Sequence, residues 1–194
     1  MGAGFTAYAV DLEVLSAVFG GKDRALVTRV EARAGKRIRH ADEWFAERIA
    51  AGAPSLRTAL EEIVDGRCKA KRHGFQYVYA LELLCLTLGT QVAHGDLSYR
   101  VEQSLDPLLR TAKLPRLMKV LGKGVVPMPI PKTSKVDAYP VCGSLLPDGV
   151  DGLRVAIHAL QKLPNKDEAL TFALAELREW VEGAKERGLV WFLY

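Results

Sequence analysis

Residues 189–194 read LVWFLY, an unbroken apolar and aromatic run that follows Gly188. A run this short and this apolar predicts a strand covered on both faces. Left in water it would forfeit the burial of two large aromatic rings, so it needs a neighbouring strand. Residues 5–10, FTAYAV, bounded by Gly4 and Asp11, are the other stretch with strand composition. The two strands are expected to pair, closing one small sheet from the two ends of the sequence.

Between them the periodicity is helical. Asp11 is placed to cap a helix carrying Leu12, Leu15, Val18 and Phe19, stopped by Gly20 and Gly21. A second helix from about Lys22 carries Leu26, Val27 and Val30 and is expected to stop at Gly35. GKRIRH, residues 35–40, reads as a basic loop, after which Asp42 opens a helix holding Trp44, Phe45 and Ile49. Ser55 suits the N-cap of a helix with Leu56, Leu60, Ile63 and Val64 inward and Gly66 at its end. From Phe75 to Leu88 apolar side chains cover every face, the pattern of a central core helix, with Gly89 as the stop.

A more polar helix is expected from Ser98 to Thr111, and a short basic one from Leu114 to Leu121. In GKGVVPMPIP, residues 122–131, Pro127, Pro129 and Pro131 each remove a donor and fix φ, which predicts an extended strap. The chain from Lys123 to Leu146 reads as irregular throughout. Val150 to Leu163 is the next helix, with Leu153, Ile157 and Leu160 inward, followed by a capping box of Asn165 and Glu168. Leu170, Leu174, Leu177, Val181 and Ala184 then recur at spacings of 4, 3, 4 and 3 on one helical face up to Gly188. Trp44, Trp180 and Trp191 are all read as packing residues. The fold class is α+β: a predominantly helical single domain over residues 1–194, with a small sheet pairing the N-terminal and C-terminal strands.

Composition supports a globular chain, 49% hydrophobic and 26% charged over 194 residues. Three widely spaced cysteines, Cys68, Cys85 and Cys142, make no disulfide framework. The amino-terminal MGAGFTAYAVDLEVL lacks a basic region before its apolar run, unlike a secretory signal, and no run approaches the roughly 18 apolar residues of a membrane helix. A reducing, cytoplasmic setting without membrane contact is the expectation. The net charge of +4 is uneven: residues 99–136 hold eight basic and two acidic side chains, a local excess of +6. Such a patch suits an acidic protein surface first and a nucleic acid second. Arg110, Lys113, Arg116, Lys119 and Lys123, with Pro127, Pro129 and Pro131, are accordingly the candidate partner-binding residues.

No stretch carries a catalytic signature. His40, His73, His94 and His158 are scattered and no Cys or His pair has ligand spacing, so neither a metal nor a cofactor is expected. Gly143-Ser144 lacks the following glycine of a nucleophile elbow, and Gly122-Lys123-Gly124 lacks the spacing of a phosphate loop. Glu82 stands out as the single acidic or basic side chain between His73 and His94, on the most apolar helix. A carboxylate there needs a partner, an Arg, Lys or Tyr hydroxyl, or else serves as an acid or base. Tyr79 lies one turn before it, and His73 completes a polar strip with both.

AYAVDLEVL near the start, GFQYVYALELLC in the centre, PMPIP, GSLLPDGVDGL and the closing ALAELREWVEGAKERGLVWFLY together resemble the YfbM-like bacterial proteins and a related actinobacterial and myxobacterial group of unknown function. This chain carries Phe75, Gln76, Tyr77 and Tyr79 where that group has a Trp and His pair on the central helix. The resemblance implies an α+β fold with its terminal strands together and a non-enzymatic role beside a partner, accessory or immunity-like. An enzyme with a site around Glu82 is the alternative, and a weak nucleic-acid-binding protein the next.

Overall fold

The computed structural model describes residues 3–68, 70–97, 141–162, 164 and 168–194. These divide into two compact units. One gathers the described residues up to Val10, from Thr90 to Leu97 and from Cys142 onward; the other gathers those from Asp11 to Gly89.

The first unit is built on the paired ends. Strand β1 (Ala3–Val10) lies antiparallel to β4 (Gly188–Leu193), with Phe5 opposite Leu193, Ala7 opposite Trp191 and Val10 opposite Gly188. The Tyr194 N–H donates to the Gly4 carbonyl at 2.9 Å and extends the ladder by one residue. Ala7, Tyr8, Ala9 and Val10 are fully buried, as are Val190, Trp191 and Phe192, so both strands are covered on two faces as their composition demands. The Tyr8 and Phe192 rings meet edge-on at 5.9 Å, and Phe5 stacks on Trp180 at 4.3 Å.

Two further strands, β2 (Thr90–Leu97) and β3 (Val141–Leu145), complete a sheet in the order β2-β1-β4-β3. β2 runs antiparallel to β1 with an irregularity between Ala7 and Tyr8. Neither was expected. Thr90, Gln91 and His94 are exposed, so β2 is an edge strand whose sequence lacks the apolar alternation that announces a half-buried one. β3 falls inside the stretch read as irregular up to Leu146. Its buried Gly143, Ser144 and Leu145 are too few and too small to make a periodic signal.

The remaining elements of this unit are helical. They are labelled α6 (Pro147–Gln161) and α7 (Glu168–Ala184), after the five helices of the other unit. α6 begins three residues before the expected Val150, with Pro147 in its first turn, where a missing N–H is harmless. Leu174, Leu177, Val181 and Ala184 are buried along α7, which ends there rather than at Gly188. Arg154 of α6 donates to the Val181 and Lys185 carbonyls at 2.9 and 3.2 Å, answering acceptors that the end of α7 leaves open. Gly183 is where α7 meets β2: a Cβ there would sit 2.8 Å from Val92 Cγ1, so only glycine fits the approach.

The second unit is all helical: α1 (Leu12–Ala17), α2 (Arg24–Trp44), α3 (Ala46–Ala50), α4 (Leu56–Asp65) and α5 (Ala70–Leu88). Asp11 caps α1 by accepting from the Glu13 and Val14 N–H groups, and Ser55 caps α4 through the Thr58 N–H. Gly66 ends α4 in the left-handed region at φ 71°, and a Cβ on it would meet the Gly20 Cα at 3.0 Å. The Gly20 and Lys22 N–H groups donate to the last carbonyls of α4, on Ile63 and Val64. α5 is the expected central helix: Phe75, Tyr77, Val78, Leu81, Leu83, Leu84 and Cys85 are all buried.

Helix α2 corrects three expectations. It does not stop at Gly35, residues 35–40 are helix rather than loop, and Asp42 lies within it instead of opening a new one. A mid-helix glycine sacrifices about 1 kcal/mol against alanine, and burial overrides that. Leu26, Val27, Val30, Ala34 and Ile38 form one continuous buried face straddling Gly35. Asp42 instead accepts from the Leu56 N–H at 2.7 Å, joining the end of α2 to the start of α4. Trp44 is not a core residue: it is 78% exposed and lies beyond Ile38, the last buried residue of α2. Trp180 and Trp191 are buried as expected.

Candidate binding cleft at the end of helix α2

The last turns of α2 lie against α4 and α5, and a cleft of about 230 Å³ opens between them. Ala41, Phe45, Leu56 and Leu83 give it apolar walls. Arg37, His40, Tyr79 and Glu82 supply its polar groups, and Trp44 stands at its side.

Glu82 is the chemically distinctive member. Its side chain is 2% exposed on a helix that is otherwise apolar, and Arg37 Nη2 donates to its Oε1 at 2.9 Å. The Arg37 side chain is itself 51% exposed, so the pair runs from the core to solvent. A buried carboxylate of this kind holds its place because a guanidinium reaches it. Tyr79 lies one turn earlier on α5, half-buried; burial pushes its phenol above the ordinary 10.0 and the Glu82 charge pushes it further, while Arg48 pulls the other way. The phenol therefore keeps its proton at neutral pH and acts as a neutral hydroxyl.

Aromatic rings continue the wall. Phe45 lies 5.5 Å from Tyr79 and 5.1 Å from Phe75 in tilted arrangements, and the Arg48 guanidinium sits 4.9 Å from the centre of the Phe75 ring. At these distances the ring quadrupoles favour both the tilted contacts and the cation above a face.

The expected strip of His73, Tyr79 and Glu82 is thus divided. Tyr79 and Glu82 share the cleft, whereas His73 falls at a non-helical position in α5, φ −134° and ψ 40°, and does not line it. The proposed partner-binding residues Arg110, Lys113, Arg116, Lys119, Lys123, Pro127, Pro129 and Pro131 lie outside the described residues. Among the described residues no group of three His, Cys, Asp or Glu could hold a metal ion, and no helix is long and apolar enough to cross a membrane. Burial pushes the Cys68 and Cys142 thiols up to about 11, so neither is a ready thiolate.

Sequence reading missed the outer face of α2. Arg29, Arg33, Lys36, His40 and Trp44 follow at spacings of 4, 3, 4 and 4, and all are exposed. At 3.6 residues per turn they fall within one arc, which the exposed Glu43 shares; Arg29, Arg33, Lys36 and His40 lie opposite Val27, Ala34 and Ile38, and Trp44 lies at the edge. The pattern was there to be found, provided the helix is carried through Gly35. Elsewhere among the described residues the arginines Arg24, Arg37, Arg57, Arg67, Arg154 and Arg178 all sit in ion pairs. Arg29, Arg33 and Lys36 make none with any described residue, nor do Arg39, Arg48 and Arg187, which lie off the stripe.

These features define a class: an α+β protein whose terminal strands pair at the centre of a four-stranded sheet, and whose helical unit carries a basic stripe leading to an aromatic cleft. The chain belongs to the family described as Domain of unknown function (DUF7691), whose model matches residues 1–194. No curated protein and no solved structure matches it.

Proposed function

We propose that the protein is a non-enzymatic binding factor for an acidic protein surface, of the accessory or immunity-like kind. The observation that supports this is the stripe of Arg29, Arg33 and Lys36, exposed on one helix face and engaged in no ion pair among the described residues. From Arg29 to Trp44 the stripe runs about 22 Å at 1.5 Å per residue, the reach of one partner helix of similar length. Unanswered cations in a row speed the approach of an acidic surface and reject a basic one. The basic stretch containing Arg110, Lys113, Arg116, Lys119 and Lys123, with the prolines 127, 129 and 131, belongs to the same reading as a second contact region. So do a bacterial, cytoplasmic setting and kinship with the YfbM-like proteins.

A protein partner is favoured over a nucleic acid because the stripe ends beside a cleft with apolar and aromatic walls. The test uses a fluorescently labelled Glu-rich helical peptide and a single-stranded oligonucleotide, each titrated at two salt concentrations. The peptide is expected to bind, and the triple reversal Arg29→Glu, Arg33→Glu, Lys36→Glu to weaken it about tenfold or more with an unchanged circular dichroism spectrum. Affinity unmoved by the reversal would remove the stripe from the binding surface. Tighter binding of the oligonucleotide, with a steep fall in salt, would transfer the surface to nucleic acid.

A further inference from the structure

We infer that the cleft beside Trp44 is the receptor for a single aromatic side chain of that acidic partner, so that the segment recognised is acidic with one aromatic anchor. The inference rests on the partner-binding reading above and adds what the partner must carry.

Three observations lead to it. The cleft volume of about 230 Å³ is that of one large side chain, too small for a helix or a folded loop to enter. Its walls are largely aromatic and aliphatic, from Phe45, Tyr79, Leu56, Leu83 and Trp44, with Phe45 held at 5.5 Å from Tyr79. An aromatic ring gains there both from leaving water and from offset or edge-on contact with the rings already present. Trp44 is the third: an indole left 78% exposed beside a cleft is the kind of residue that anchors an interface and pairs with an anchor on the partner.

The rim then sets what flanks the anchor. Glu82 is inside the cleft and its charge is answered by Arg37, so an acidic side chain is poorly received within it. Acidic groups are instead received along α2, where Lys36, Arg33 and Arg29 recede from the cleft turn by turn. An anchor in the cleft and carboxylates one and two helical turns away from it therefore match the surface in register. The chain's own residues 99–136 carry the sign of the stripe, eight basic against two acidic side chains, so charge selects an occupant from another molecule.

The experiment compares two peptides of about fifteen residues, the length of a helix spanning the stripe. Both are rich in Glu and Asp, and one has a central Phe where the other has Ala. Phe is silent in tryptophan emission, and Trp180 and Trp191 are buried at 9% and 0% exposure, so acrylamide quenching of the intact protein reports mainly on Trp44. The Phe peptide is expected to bind about tenfold more tightly than the Ala peptide and to shield Trp44 from the quencher. Ala41→Trp, which fills the cleft, and Trp44→Ala, which needs no repacking, should each erase the difference between the peptides and leave Ala-peptide binding in place. Equal binding of both peptides to the unaltered protein would overturn the aromatic receptor while leaving the acidic partner standing. Binding of neither peptide would overturn both.

Discussion

Trp191 and Trp44 stand for two regions built on different terms. In the terminal sheet every large side chain is spent on burial: Trp191, Tyr8 and Phe192 are inaccessible, and the strand pairing explains each of them. At the end of α2 an equally large indole is left in water, next to a carboxylate buried at 2% exposure and a row of cations that pair with no described carboxylate. Folding accounts for the first set completely. It leaves the second unexplained, and surfaces that folding does not explain are where binding is to be sought.

The sharpest way to break this contrast is at the sheet. β4 lies between β1 and β3, so removing residues 189–194 takes out an inner strand and with it two fully buried rings. The truncated protein is expected to lose its cooperative thermal transition and to accumulate as aggregate. Trp191→Ala is the milder form and should cost about 3–5 kcal/mol in urea denaturation, the range for emptying a buried aromatic site. A loss below about 1 kcal/mol would mean the sheet is not the packed element described.

The Arg37 and Glu82 pair tests the other region at intermediate size. Arg37→Met withdraws the guanidinium from a buried carboxylate, and because Arg37 is half exposed the cost is expected near 2 kcal/mol, below that of a fully sealed pair. Arg37→Met combined with Glu82→Leu removes both charges and should recover most of that loss. A double variant no more stable than the single one would show that Glu82 is held by something other than its cation.

How far the sequence disclosed these regions follows from the same division. LVWFLY and FTAYAV could be paired from composition alone, because a run of that apolarity has few places to go. Glu82 was visible as the lone charge on an apolar helix, and its need for a cation followed from desolvation. Arg37 was not, since it lies 45 residues away and was assigned to a loop. By propensity alone Gly35 ends the helix. Ala34 and Ile38 on either side of it continue the buried face, and tertiary burial outweighs a preference of about 1 kcal/mol. β2 and β3 escaped because their residues are polar, small or exposed, and a strand's signal in sequence is its buried side chains. Gly35→Ala turns that lesson into a measurement. A Cβ there meets nothing closer than Arg39 Nη1 at 3.7 Å, so the variant should gain about 0.5–1 kcal/mol. A loss would mean that α2 is not continuous at this point.

The smallest expected change in stability is the most informative about function. Trp44→Ala removes the largest side chain available, yet 78% of it is already in water, so little burial is forfeited and no cavity opens. Its effect on the midpoint of denaturation should stay within about 0.5 kcal/mol, the range of a surface substitution. The same mutation type at Trp191 is expected to cost several times more, although the residue removed is identical. If Trp44→Ala proves as costly as Trp191→Ala, the indole is a packing residue and the contrast between the two regions dissolves. If it is silent in stability while erasing the preference for a Phe-bearing acidic peptide, the residue contributes to recognition and little else, and the cleft beside it is a binding site on grounds independent of its shape.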